Sequence, residues 1–203
     1  MEINKALSQI SEIHGHLAKT EVFRGIESKH ISLAGVLTVI SAYFQPYFVE
    51  SPNSFLIYWS SIALINIIFA SCVISFNYYK RESIFDRKRT LRTVGQFLPS
   101  LIGGLFISVA LSVVSDNNIR FLPGIWTVLF ALGISSSLPF LPKAVGWVAI
   151  YFFLASINLF YMINIDLSLS PWGMGLSFGG GLFLAAIILY LNVERKVNVR
   201  KRN

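Results

Sequence analysis

The chain has 203 residues, of which 54% are hydrophobic and 13% are charged, and its formal net charge is +7. Ordinary soluble domains carry about a quarter charged residues, so this composition excludes a typical soluble globular protein. Its basic residues flank apolar runs, where such residues set membrane topology, and we therefore expect no nucleic-acid binding. The single cysteine, Cys72, excludes an intramolecular disulfide, and we expect it to be a small core residue.

Residues 1–30 form a polar segment before the first apolar run. Within 2–28, apolar residues recur every three or four positions, which predicts an amphipathic cytoplasmic helix outside the hydrocarbon.

Six apolar runs without Asp, Glu, Lys, Arg or His follow, and each is long enough to cross about 30 Å of hydrocarbon. These runs are 31–48, 54–76, 96–114, 121–140, 144–165 and 171–191. We therefore predict an all-α integral membrane protein, with a six-helix bundle over 31–192, a basic cytoplasmic loop at 77–95 and a basic tail at 193–203.

The Lys and Arg residues are distributed unequally between the two sides of this predicted bundle. Sixteen of the seventeen fall on the side that carries both termini, and Arg120 alone falls on the other. Because basic loops stay in the cytoplasm, both termini are predicted to be cytoplasmic in a multi-pass membrane protein.

The loop at 77–95 concentrates the exposed positive charge. Topology and contact with anionic lipids explain this charge, and docking of a cytoplasmic protein partner is the alternative. The residues concerned are Lys80, Arg81, Arg87, Lys88, Arg89 and Arg92.

Polar side chains inside the runs are few. Apart from Gln96 and Asn164 at run ends, Gln45, Asn66 and Asn158 are the amides, and no titratable Asp, Glu, Lys, Arg or His is present, which argues against a pump or a proton-coupled exchanger. We expect the amides to make interhelical hydrogen bonds, and a binding site for a neutral or amphiphilic ligand is the alternative.

Small residues at steps of four predict close helix packing in the sixth and third runs. They are Gly173, Ser177 and Gly181 in the sixth run and Gly104 and Ser108 in the third. A homodimer face and an unwound segment in a substrate path are the alternatives.

A short internal echo links the two halves of the chain. Gly-Gly-Leu-Phe occurs at 103–106 and again at 180–183, and Asn66 and Asn158 each stand between aliphatic residues. Three helices in each half would make the second half inverted, as in many transporters, although the two echoes need different offsets.

Catalytic candidates are confined to the cytoplasmic side. Glu27 and His30 are three residues apart, so they can meet on one helix face just before the first run. No motif for a nucleophile, a phosphate loop or a metal is present, so we expect no cofactor and favour a non-enzymatic protein.

Five stretches of the chain resemble a family of bacterial six-span membrane proteins that has no assigned activity. They are Ser11–Gly25, Gly95–Gly104, Pro123–Gly133, Pro139–Trp147 and Pro171–Gly181. The resemblance implies a bacterial inner-membrane protein and a link to cytoplasmic transcriptional regulators, and it supplies no catalytic or binding residues.

The leading hypothesis is a sensor or accessory protein that binds lipid or a small apolar ligand in the bundle and a partner in the cytoplasm. The alternatives are a small transporter or channel for a neutral solute and a lipid-modifying enzyme that uses Glu27 and His30.

Overall fold

The computed structural model describes residues 27–80 and 84–195. These residues form helices and connections without a strand, and six of the helices are long and apolar enough to cross a membrane. For the described residues this confirms the prediction of an all-helical chain with six helices that are long and apolar enough to cross a membrane. The amphipathic helix predicted over 2–28 and most of the tail lie outside the described residues.

The first five long helices are α1 (Ser28–Phe48), α2 (Pro52–Lys80), α3 (Ile84–Val114), α4 (Leu122–Ser137) and α5 (Gly146–Ile163). Short 3₁₀ turns at Asp116–Phe121, Leu138–Phe140 and Lys143–Val145 flank α4 and precede α5. The sixth helix, α6, is a continuous run of α-helical Pro171–Met174, π-helical Gly175–Gly180, α-helical Gly181–Leu189 and π-helical Tyr190–Glu194.

Local sequence explains where several of these helices begin. Proline is the first residue of α2 and α6, a position where its missing N–H costs no hydrogen bond. Before α2, the Ser51 hydroxyl accepts the Ser54 N–H at 3.2 Å, and the Ser54 hydroxyl accepts the Ser51 N–H at 2.8 Å. This reciprocal pair satisfies N–H groups that a helix start leaves without partners.

The structure differs from the expectation of a loop at 77–95. Helix α2 continues to Lys80 and α3 already starts at Ile84, so the described residues of this segment are helical. With 31 residues, α3 is about 46 Å long, which exceeds the hydrocarbon thickness. Basic side chains on long stems reach polar surroundings from a helix end, so charge did not require the helix to stop.

Pro99 lies inside α3 and removes one internal hydrogen bond from it. In the same stretch, Ser136 of α4 donates to the Gln96 carbonyl at 2.9 Å, and Ser137 donates to the Thr93 carbonyl at 3.3 Å. Hydroxyl groups of α4 therefore donate to α3 carbonyls on both sides of the carbonyl that Pro99 leaves without its helical hydrogen bond.

The six helices are arranged as a ring. Each helix contacts the next one in the chain, and α6 also contacts α1 extensively. The largest contacts join α4 to α5, α3 to α4 and α6 to α1, whereas α2 has few. Consistent with this, only 6% of the α2 span and 11% of the α3 span are buried by protein, against 44% of the α4 span.

Cys72 illustrates what this arrangement does to α2. We expected it to be a core residue, but it is exposed, because this part of α2 makes few contacts with other helices. That prediction was wrong: an apolar residue in a membrane helix faces lipid as readily as protein.

The interior of the ring is filled with apolar and aromatic side chains in two clusters. One contains Ala131, Ile134, Val145, Val148, Ala149, Phe152 and Ile188, and the other contains Ala42, Phe55, Trp59, Ile119, Leu122 and Met174. Phe178 packs against both, and its ring lies 5.6 Å from the rings of Phe130 and Phe152, centroid to centroid. Close aromatic packing through Phe178 therefore joins the two clusters.

Candidate functional site

Gln45 is the most connected of the three predicted amides. Its side chain is buried, its Nε2 donates to the Leu169 carbonyl at 2.8 Å, and its Oε1 accepts the Trp59 indole N–H at 2.8 Å. One amide thus joins α1, α2 and the segment that leads into α6.

Gln45 also lines a cavity of about 400 Å³, which opens at the end of the bundle that holds the 49–51 turn. The rest of the wall is mostly apolar or proline, with the exposed Glu50 as its carboxylate: Pro46, Val49, Glu50, Ser51, Pro52, Leu169 and Pro171. Because both ends of the Gln45 amide are already bonded to protein, its first role here is to hold three segments together.

Asn66 and Asn158 have different surroundings. Asn66 Nδ2 donates to the Ile62 carbonyl of its own helix at 3.1 Å, and its Oδ1 is buried without a hydrogen-bond partner. Asn158 is exposed on the outside of α5. Neither residue lines the cavity beside Gln45 or the one between α1 and α6 described below. The structure therefore does not bring the two amides together in either cavity.

The predicted packing residues of α3 contact α4. Gly104 and Ser108 are buried, the Ser108 hydroxyl donates to the Gly104 carbonyl at 2.7 Å, and it accepts the Trp126 indole N–H at 2.8 Å. A Cβ on Gly104 would lie 3.6 Å from Leu129 Cδ1, an ordinary van der Waals contact. Ser108 thus provides a polar link between the helices.

The small residues of α6 lie between α1 and α5. Gly173, Ser177 and Gly181 are all buried. On the α1 side, a Cβ on Gly179 would lie 2.6 Å from Val39 Cγ2, and on the α5 side a Cβ on Gly181 would lie 2.6 Å from Phe152 Cε2. These distances are shorter than a carbon–carbon contact of about 3.5 Å, so both faces need glycine.

From the sequence we predicted close helix packing for this glycine cluster, with an unwound segment as one alternative, and did not predict its helical type. The backbone remains helical and widens into the π-helical turn Gly175–Gly180. The Tyr151 hydroxyl of α5 donates to the Leu176 carbonyl in that turn at 2.6 Å. π-Helical turns are rare and are frequent at functional sites.

The predicted basic residues lie at the end of the bundle where α2 stops and α3 starts. Arg81 and the side chain of Arg89 lie outside the described part of the chain, while Lys80, Lys88 and Arg92 are exposed. The Arg87 guanidinium lies 5.2 Å from the Tyr78 ring centroid and donates to the Tyr79 carbonyl at 3.3 Å. Arg87 therefore braces the α2–α3 corner, the Lys80 ammonium lies 4.7 Å from the Phe76 ring centroid, and Lys88 and Arg92 are exposed.

Exposed cations from three further places in the chain lie at the same end of the helices. Lys29 is the second residue of α1, Lys143 lies between α4 and α5, and Arg195 follows α6. We call this end, with Lys80, Lys88 and Arg92, the basic end. Arg120 lies at the opposite end, where it donates to the Asn117 side chain.

Glu27 and His30 both lie at the basic end, at the start of α1. The Glu27 carboxylate forms an ion pair with Lys29 at 2.5 Å, and the His30 ring lies 6.0 Å from the Phe69 ring of α2. Among the described residues there is no group of three or more His, Cys, Asp or Glu side chains that could hold a metal ion.

No protein-family model matches the sequence, and neither the curated proteins nor the solved structures contain a match to it. The arguments about function below therefore depend on this chain's own residues and geometry.

Proposed function

We propose that the protein is a non-enzymatic sensor or accessory protein of the bacterial inner membrane with both termini in the cytoplasm. In this proposal the basic end faces the cytoplasm, contacts anionic lipid headgroups and docks a cytoplasmic protein partner with an acidic surface. The bundle itself binds lipid or a small apolar ligand, and the protein needs no cofactor.

The observation that carries this proposal is the exposure of cations at one end of the helices. Lys80, Lys88 and Arg92 are exposed around the start of α3, and α3 extends several turns past the length needed to cross hydrocarbon. In this proposal their side chains lie at or beyond headgroup depth, where each cation gains about 1 kcal/mol beside an anionic surface.

The filled interior supports an accessory role over the transport alternative. A transporter for a neutral solute needs a polar path between its halves, and here the rings of Phe130, Phe152 and Phe178 pack against one another between α4, α5 and α6. The residues of the sequence echo also differ in environment, since a Cβ on Gly103 would meet nothing within 4 Å whereas one on Gly180 would meet the Tyr151 hydroxyl at 2.5 Å.

The lipid-modifying alternative depends on a shared cleft for Glu27 and His30. The Glu27 carboxylate is bonded to Lys29 and the His30 ring packs against Phe69, which favours a structural role for each side chain at the start of α1.

The experiment neutralises the exposed cations of α2 and α3 in the full-length protein. Lys80→Gln, Lys88→Gln and Arg92→Gln are combined, and Arg120→Gln at the opposite end is the matched control. At about fivefold in affinity per lost charge, the triple variant should lose most of its crosslinked cytoplasmic partners and its co-purified anionic lipid. Unchanged recovery of every partner by the triple variant, or equal loss in the control, would end the docking proposal.

A further inference from the structure

A second cavity, of about 300 Å³ and widely open to the surroundings, lies at the basic end between the start of α1 and the end of α6. Two kinds of side chain form its wall. One part is polar, from Ser28, Lys29 and Ser32 of α1 with Tyr190 of α6, and the other is apolar, from Ala186, Ile187 and Leu191 of α6. Lys80, Lys88 and Arg92 do not line this cavity.

The polar part of this wall has the chemistry of an anion site. Lys29 supplies an ammonium group, and Ser32 and Tyr190 supply hydroxyl donors. The N-terminus of α1, where the Glu27 side chain does not cap the helix, adds the positive end of a 21-residue helix dipole on the same side. Lysine and hydroxyl donors together are a common way to bind phosphate.

The apolar part extends the cavity toward the hydrocarbon. Ile187 and Leu191 are exposed on the outside of α6, next to the half-exposed Tyr190. A membrane-facing aliphatic surface directly beside a cation and hydroxyl donors fits a molecule with a phosphate head and an acyl chain. A free phosphate would use only the polar part.

The local backbone of α6 is also unusual here, since Tyr190 begins its second π-helical turn, Tyr190–Glu194. A π-helical turn has more residues per hydrogen-bonded ring than an α-helix, so it changes which side chains face α1. Tyr190 and Leu191 occupy this turn and both line the cavity.

Glu27 bears on the affinity of the site, because its carboxylate already pairs with the Lys29 ammonium at 2.5 Å. The Lys29 side chain is 69% exposed, and exposed ion pairs of this kind are weak. An ammonium group has three donors, so Lys29 can keep Glu27 and still bind a phosphate oxygen.

We infer that this cavity binds the phosphodiester headgroup of one anionic phospholipid, with Lys29, Ser32 and Tyr190 on the phosphate and Ile187 and Leu191 along the first methylenes of an acyl chain. The inference rests on the proposed placement of the basic end at headgroup depth and is independent of partner docking through Lys80, Lys88 and Arg92.

The test uses delipidated full-length protein in neutral detergent, titrated with phosphatidylglycerol or with phosphatidylcholine while unfolding is followed by tryptophan fluorescence. A ligand that binds the folded state raises Tm with concentration. Wild-type protein should be stabilised more by phosphatidylglycerol. Combined Lys29→Gln and Ser32→Ala should weaken its apparent affinity about tenfold, the effect of losing a charge-assisted hydrogen bond.

Two matched variants separate this site from general charge. Lys29→Arg keeps the cation and should keep the affinity, and Lys143→Gln removes an exposed cation of the basic end that does not line the cavity and should also keep it. Loss of affinity in Lys143→Gln equal to that in the double variant would overturn the inference, as would a wild-type protein that does not prefer phosphatidylglycerol.

Further arms identify the ligand and its place. If inorganic phosphate stabilises the protein as well as phosphatidylglycerol does, the site binds a free anion and the lipid assignment is wrong. A diazirine-bearing phosphatidylglycerol should label peptides that contain residues 28–32 or 186–191, and labelling confined to other parts of the chain would place the lipid elsewhere. The triple variant at Lys80, Lys88 and Arg92 should keep this labelling even where its partner binding is lost.

Discussion

The two Gly-Gly-Leu-Phe segments give a sharp test of the packing, because the same four letters have different environments. Gly181, the second glycine of the later segment, faces the Phe152 ring, whereas a Cβ on Gly103, the first glycine of the earlier segment, would meet nothing within 4 Å. We predict that Gly181→Ala destabilises the fold, whereas Gly103→Ala leaves its stability unchanged or raises it.

The magnitude for Gly181→Ala follows from the distance to Phe152. The new Cβ would lie 2.6 Å from Phe152 Cε2, so the ring must move about 1 Å to restore a normal carbon–carbon contact. Phe152 is fully buried and packs against Phe130 and Phe178, so it has little room to move. Overpacking of this kind costs about 1–3 kcal/mol, from which the better helix propensity of alanine subtracts at most about 1 kcal/mol.

The assay is reversible unfolding in mixed micelles, followed by circular dichroism, with wild type, Gly181→Ala and Gly103→Ala measured together. Gly104→Ala is an intermediate control, since its Cβ would make an ordinary 3.6 Å contact with Leu129 Cδ1. Gly103→Ala should fall between no change and a gain of about 1 kcal/mol, because it gains only helix propensity. If Gly181→Ala is as stable as wild type, or if Gly103→Ala is destabilised as much as Gly181→Ala, then the packing of α6 against α5 does not limit the stability of the fold.

Three other outcomes are expected. Gln45→Ala should cost about 1–3 kcal/mol in the same unfolding assay, because it leaves a buried indole N–H and a carbonyl without their partner, and a cost below about 0.3 kcal/mol would contradict its linking role. Tyr151→Phe should cost about 0.6 kcal/mol and speed amide exchange around Leu176, since it removes only the hydroxyl that reaches the π-helical turn; unchanged exchange there would show that the turn does not need it. For sidedness, a cysteine at Lys143 should resist an impermeant maleimide in intact cells, while one at Ser115 should react, and the reverse labelling would invert the proposed orientation.

Much of the secondary structure was predictable because a segment that crosses a bilayer has few backbone conformations open to it. A run of about 20 uncharged residues must satisfy its own backbone hydrogen bonds in lipid, and a helix does so wherever the run lies in the fold. The helical residues within 77–95 have the same origin: charge marks where hydrocarbon ends, but it does not mark where a helix ends, and α2 and α3 extend past that boundary.

The candidate site was less accessible to sequence. The sequence shows three similar amide residues inside apolar runs, Gln45, Asn66 and Asn158. In the structure Gln45 links three segments, Asn66 bonds to its own helix and Asn158 faces outward. Residue type alone does not separate these roles, because a hydrogen-bond partner more than a hundred residues away, such as the Leu169 carbonyl for Gln45, has no local signal.

The sequence by itself therefore determined that the chain is helical and that six of its segments are long and apolar enough to cross a membrane, since length and hydropathy alone decide whether a segment is stable in lipid. Only the tertiary structure decided which face of each helix meets protein and which meets the surroundings, because leucine, phenylalanine and cysteine are equally compatible with lipid and with a neighbouring helix. The packing of the helices puts Gly181 against Phe152 and leaves Gly103 with nothing within 4 Å of a Cβ. It also exposes Cys72 and brings Lys29 and Tyr190 to the wall of one cavity.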